Sequence, residues 1–190
     1  MGKILVVYRS KYGFTQKYAE WIAETLHADL KEGHNVKPDD LKHYDVIIYG
    51  GGLYAGGVNG ISAFVKAFPK MKDKALYLFT VGAADVLDPK NITRIRSELN
   101  KVLSPEMQEK VKIYHFRGGI DYPHLSIVHR AMMSMMIRML RKKPQSELRS
   151  DDIAMLETYG QLVDFTNRST IAPLIQDVEA TLLSSSPQTD

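Results

Sequence analysis

The chain has 190 residues, 44% hydrophobic and 25% charged, the balance of one globular domain with room for an insertion. It has no cysteine, which excludes disulfides, thiolate metal sites, iron–sulfur clusters and thiol nucleophiles. The net charge of +3 is uneven: seven basic and two acidic residues lie between Arg117 and Ser150, so that segment carries +5 and the rest of the chain −2.

The first apolar run, in "MGKILVVYRS", is too short for a secretory signal. No run reaches the roughly 20 apolar residues that cross a bilayer. A cytoplasmic location is the expectation.

The β-branched run Lys3–Tyr8 predicts a first strand. "SKYGFT" follows it, and Phe14, Tyr18, Trp21, Ile22 and Leu26 then recur at helical spacing, predicting a helix over Thr15–Leu26. The chain therefore turns from a strand end straight into a helix amino terminus. Backbone N–H groups there favour an anion, Gly13 allows close approach, and Ser10 and Thr15 add hydroxyls. The loop reads as a cradle for a terminal phosphate; the alternative is that Ser10 or Thr15 is only a helix cap. No Walker A pattern is present.

A weak second strand fits Ala28–Leu30 or the neighbourhood of Val36. Asp45–Tyr49 predicts a buried strand, followed by "YGGGLYAGGVNG", in which six of twelve residues are glycine. Tyr54 stands in its middle, so the loop can lay backbone along a flat ring while the tyrosine stacks on it. Gly50, Gly52 and Ala55 also fit a dinucleotide fingerprint, but Gly56, Gly57 and Gly60 keep the chain irregular where that motif needs a helix. A flexible glycine loop without a ligand is the third reading. Helices are predicted over Ile61–Phe68 and Asn91–Leu103, strands over Ala75–Val81 and Val111–Phe116, and a last helix over Asp151–Thr166. A third loop, "VGAADVLDPKN", follows the Ala75–Val81 strand. Strands alternating with helices give an α/β domain with a doubly wound parallel sheet, whose three loops should meet at the strands' carboxyl edge. Together they describe a flavin mononucleotide (FMN) site.

These loops resemble the flavodoxin family. Ser10-Lys11-Tyr12-Gly13-Phe14-Thr15 matches its phosphate-loop pattern, and Gly50-Gly51-Gly52-Leu53-Tyr54-Ala55 stands where its members carry a stacking tryptophan. The resemblance implies a five-stranded parallel sheet in the order 2-1-3-4-5, with a helical insertion (118–150) between the last strand and last helix. It implies one domain over 1–168 and a partly flexible extension over 169–190. The implied cofactor is FMN, held by Ser10, Lys11, Tyr12, Gly13, Phe14 and Thr15, by Gly51, Gly52, Leu53, Tyr54, Ala55 and Gly56, and by Val81, Gly82, Ala83, Ala84 and Asp85. The third loop lacks the usual tyrosine, which leaves one ring face to a substrate or to a group from elsewhere, such as Tyr122.

"RGGIDYPHLSIVHRAMMSMMIRMLRKKP" is similar to the insertion of the menaquinone-dependent protoporphyrinogen dehydrogenases, a flavodoxin-fold branch of haem synthesis. That similarity implies a tetrapyrrole substrate and a quinone acceptor. Ser126, Arg130, Ser134, Arg138 and Arg141 fall on one stripe of a helix over 125–143, and five methionines lie within residues 132–139. The apolar side can cap the core, cover a substrate, meet a partner or lie on a membrane, at the inner face of which the protein would then be peripheral. Tyr122, His124, Arg130, Met132, Met136, Arg138 and Arg141 are the candidates for that surface. The histidines show no metal spacing, and no metal site or nucleic-acid partner is expected. An electron carrier acting only between protein redox partners, and a regulator that has lost flavin, are the competing functions. The oligomeric state is not legible.

Overall fold

The computed structural model describes residues 2–37, 39–54 and 57–184. Strands β1 (Ile4–Arg9), β2 (Asp29–Glu32), β3 (Val46–Tyr54), β5 (Ala75–Gly82) and β6 (Val111–Arg117) form a parallel sheet in the order β2-β1-β3-β5-β6. This is the 2-1-3-4-5 arrangement, with one addition. A two-residue strand, β4 (Gly57–Val58), folds back antiparallel on β3.

Alternate residues of each strand supply two cores, because side chains in a strand point to opposite faces. Val6, Ile48, Tyr77, Phe79 and Phe116 face α1 (Phe14–Leu26) and α7 (Ala172–Ser184). Leu5, Val7, Ile47, Tyr49, Leu76 and Leu78 face α2 (Ile61–Ala67), α3 (Pro89–Asn100) and α4 (Pro105–Lys110). Both faces are covered, which is why the strands read as continuous apolar runs.

Three expectations are corrected. The glycine-rich stretch is not irregular at its start. Gly50 to Gly52 continue β3, paired with Tyr8 and Arg9 on one side and with Phe79 to Val81 on the other. The helix expected over Asp151–Thr166 is a shorter helix, α6 (Ser150–Thr158), which stops before Gly160 at φ 90°. It is followed by β8 (Leu162–Asp164), which pairs antiparallel with β7 (Gly119–Asp121). The helix that closes the fold is α7, within the stretch expected as an extension. Its Leu174, Ile175 and Val178 are buried, and Tyr77 bonds to the Asp177 carbonyl (3.0 Å) and the Thr181 hydroxyl (2.7 Å).

The insertion is therefore a unit with its own stem. β7 leads out, α5 (Ile127–Leu140) and α6 follow, and β8 leads back. The Tyr18 hydroxyl holds both ends of that stem, donating to the Arg117 carbonyl at 2.8 Å and accepting from the Asn167 N–H at 3.1 Å. Lys17 pairs with Asp164 at 2.9 Å beside it.

Tyr18→Phe leaves a backbone carbonyl and an N–H at the stem without their partner. A stability loss of about 1–3 kcal/mol is expected, read from urea unfolding, with faster proteolysis between residues 118 and 166.

His115 on β6 shares a 2.7 Å hydrogen bond with Thr80 through Nδ1, while its buried Nε2 has no partner among the described residues. Burial, helped by the nearby Arg96 charge, pushes this imidazole down to about 4. Between that pH and about 6.5 the unfolded chain binds a proton that the folded chain refuses. The contribution is thus whole above the window and is lost, by about 1–3 kcal/mol, as pH falls through it. His115→Gln should flatten the fall in urea midpoint between about pH 7 and about pH 4.5.

Candidate functional site

A cavity of about 350 Å³ opens at the carboxyl edge of the sheet. It lies where strand order reverses around β1 and β3, the place where open α/β sheets bind ligands. Tyr12, Phe14 and Thr15 line it from the first loop, Leu53 and Tyr54 from the second, and Val81, Gly82 and Ala83 from the third. All three loops meet here. The insertion supplies the opposite wall through Ile120, Leu125, His129, Met132, Met133 and Met155.

The first loop is built around Gly13, whose φ of 86° suits glycine. Its N–H donates to Ser10 Oγ at 3.1 Å, and its carbonyl accepts the first helical bond from Lys17 at 2.9 Å. Among the described residues, no side chain caps α1. Its first-turn N–H groups therefore remain available to an anion. Ser10 serves the loop itself, and neither it nor Thr15 caps the helix, so the reading of these hydroxyls as a cap alone does not hold.

Tyr54 does not stand free as a platform. Its ring folds back over the backbone of Gly52, where an added Cβ would lie 2.8 Å from it. Its hydroxyl accepts from the Lys11 N–H at 3.3 Å. On its face lies His129, with ring centroids 5.6 Å apart and planes 27° from parallel. His129 Nδ1 in turn shares a 2.7 Å hydrogen bond with the Tyr12 hydroxyl, which also accepts from the Ser126 N–H at 3.3 Å. The insertion is thus latched to the first and second loops through Tyr12, Tyr54 and His129.

The expected residues distribute as follows. Ser10, Lys11 and Gly13 shape the first loop without lining the cavity, and Gly51 and Gly52 lie within β3. Ala55 and Gly56 fall outside the described residues. Ala84 lines an adjoining cavity. Asp85 turns away, bonding the Leu87 N–H at 2.9 Å and Arg117 at 3.3 Å. Tyr122 is not a surface group or a wall of the main cavity. It is 5% exposed, edge-on to Tyr159 at 5.1 Å, and burial pushes its phenol up to about 12. His124 points to solvent, with Nδ1 2.9 Å from Asp121. The histidine of the site is His129, which sequence reasoning passed over. The spacing Leu125, His129, Met132, Met133, Met136 is the signal that places it on the inward face.

Arg130 also departs from the expected polar stripe, donating to the carbonyls of Pro123 (3.1 Å) and Leu125 (3.4 Å). Met132 lines the main cavity and Met136 the adjoining one, whereas Arg138 and Arg141 are exposed. The apolar side of α5 is split. Ile137 and Leu140 are buried, while Ile127, Val128, Met135 and Met139 face out. Among the described residues, no three His, Asp or Glu side chains form a group that could hold a metal.

The flavodoxin domain matches residues 5–147 of this sequence. The chain belongs to the flavodoxin family. An uncharacterized protein of Methanocaldococcus jannaschii is 35% identical over 82 residues, 42% of this chain and 55% of its own length, so this chain spans little more than half of that relative. Among solved structures, the fold is similar to a flavoprotein from Lactobacillus acidophilus in complex with FMN (TM-score 0.42, 18% identity, 62% of this chain and 93% of that one). It is also similar to a flavodoxin from the domain Archaea (TM-score 0.36, 22% identity, 60% and 83%).

Proposed function

We propose that this flavodoxin-family chain binds FMN in the 350 Å³ cavity and acts as an oxidoreductase. Its electrons would come from a reduced tetrapyrrole of the protoporphyrinogen type and pass to a quinone. The residues fit the cofactor at both ends. The uncapped amino terminus of α1, with Thr15, suits the phosphate, and the apolar slot between Leu53–Tyr54 and Val81–Ala83 suits a flat ring. FMN, when bound, supplies one- or two-electron redox chemistry.

The observation that carries the enzyme reading is the wall opposite the third loop. That loop presents only Val81, Gly82 and Ala83, and across from it stand His129, Met132 and Met133 of the insertion. A carrier needs an exposed ring edge. Here apolar side chains of the insertion form part of the cavity wall and are tied to the first loop through Tyr12, His129 and Ser126, which narrows access to the site. His129 also occupies a face of Tyr54, so a ligand ring taking that face must displace it.

The FMN-loaded protein, freed of excess flavin and mixed anaerobically with protoporphyrinogen IX, should lose its flavin band and regain it on addition of a menaquinone analogue. A retained, unbleached flavin would select the electron carrier instead. A protein that takes up no FMN would defeat both readings.

The outward face of α5 favours a membrane contact as part of this function. Ile127 is 87% exposed, Val128 66%, Met135 62% and Met139 60%. Arg138, Arg141, Lys142 and Lys143 follow, and α5 holds no acidic residue. That combination suits an anionic lipid surface, at about 1 kcal/mol per basic residue. Among the described residues, no helix is long and apolar enough to cross a membrane. Co-sedimentation with phosphatidylglycerol-containing vesicles is expected, and should be lost in pure phosphatidylcholine and in the double variant Arg138→Glu, Arg141→Glu.

A further inference from the structure

Across Ala83 from the main cavity lies a second one of about 190 Å³, and the two share Ala83, Arg94, Ile120 and Met155. None of the phosphate-loop residues lines it. Three arginines do: Arg94 from α3, Arg117 from the end of β6 and Arg149 ahead of α6. Their surroundings differ. Arg149 is paired with the buried Asp152 through Nε and Nη2, each at 3.3 Å. Arg117 is held flat, its guanidinium 4.0 Å from the Phe165 ring centre, with Nε on the Ala83 carbonyl at 3.4 Å and Nη1 on Asp85 at 3.3 Å. Its Nη2 has no hydrogen-bond partner among the described residues. Arg94 reaches Asn91 at 3.2 Å and has no carboxylate within ion-pair distance among the described residues. It sits exposed where the two cavities join.

We propose that this annex is a carboxylate subsite. It holds the acidic end of an apolar, ring-bearing substrate whose body lies against the insertion residues of the main cavity (Leu125, Met132, Met133, Met155), beside the slot assigned to FMN. The idea deepens the functional reading above and rests on it for what occupies that cavity. The balance of charge sets the ligand class. Three guanidinium groups stand against Asp85 and Asp152, leaving one positive charge in excess, which suits a monoanion better than a phosphate dianion. Arg117 is fixed in plane with Nη2 free to donate to one carboxylate oxygen, and Arg94 at the junction can meet the other oxygen of a ligand entering from the main cavity. Met136, Val163 and Phe165 give the annex apolar walls, so a charge pair inside is less screened than on the surface.

The test is calorimetric titration of the FMN-loaded and the flavin-free protein with 2-naphthoate and, as the neutral match, 2-naphthylmethanol. The carboxylate should bind tighter than the alcohol by roughly tenfold or more. Arg94→Gln, at an exposed position, should remove that preference, weakening the carboxylate far more than the alcohol. Arg117→Gln should do the same, with folding checked by its urea midpoint. Arg141→Gln, outside both cavities, should leave the preference intact. Equal affinity for acid and alcohol, or a preference that survives Arg94→Gln, would overturn the proposal, as would inorganic phosphate displacing naphthoate at equal or lower concentration. If FMN fails to load but the flavin-free chain keeps the preference, the functional reading falls and the subsite stands. FMN loading with no preference gives the reverse.

Discussion

The hydroxyl of Tyr18 is the contact on which the functional architecture depends. It sits 1% exposed in the core between the sheet and α1, yet it bonds to backbone groups at both ends of the insertion. The ring stacks on Phe116 at 4.8 Å and meets Trp21 edge-on at 5.2 Å, so its position is set by the core before the insertion is considered. A loop that starts and ends on one fixed oxygen has little freedom at its stem. The entropy of ordering it is thereby reduced, and β7 and β8 can pair although each is only three residues long.

From that stem the insertion returns over the carboxyl edge of the sheet. The Phe165 N–H bonds to the Gly118 carbonyl at 2.9 Å, and the Gly118 N–H to the Gly82 carbonyl at 2.7 Å. The third loop and the stem are thus joined by main-chain bonds, and this makes the insertion a wall of the site. At its far side the hold is lighter. Beyond packing, the polar contacts between α5 and the first two loops run through Tyr12, its partners His129 and Ser126, and the stack on Tyr54. A firm stem with a light latch is the layout of a lid, in which local opening costs far less than unfolding.

The two cavities differ in the chemistry they can hold. The main cavity is apolar and lies at an uncapped helix terminus, so it suits a ligand with a flat ring and one anionic end. The annex is rimmed by guanidinium groups and lies on the other side of the third loop. The third loop separates them, with Gly82 on the main cavity, Ala84 on the annex and Ala83 on both.

Much of this was legible from local pattern. The β-branched runs, the turns at their ends and the helical spacing after Phe14 act over a few residues, so the alternation of strands and helices and the three converging loops follow from sequence alone. The same holds for Tyr12, Phe14, Thr15, Leu53, Tyr54 and Val81 to Ala83 as cavity residues. What failed to show in the sequence depends on partners far along the chain. Gly50 to Gly52 are extended because two neighbouring strands pair with them. Residues 162–164 form a strand because Gly119 to Asp121 lie opposite. His129 became the site histidine, and His124 did not, because Tyr12 and Tyr54 stand 117 and 75 positions away from it and meet its face of α5. Arg94, Arg117 and Arg149 carry no shared motif, and only the return of the insertion over the sheet brings them around one space. The sequence by itself determined the elements and the chemistry of the loops, since propensity and periodicity are local. The tertiary structure alone decided which side chains face each other across the site, since that is set by long-range backbone pairing and by the fixed hydroxyl of Tyr18.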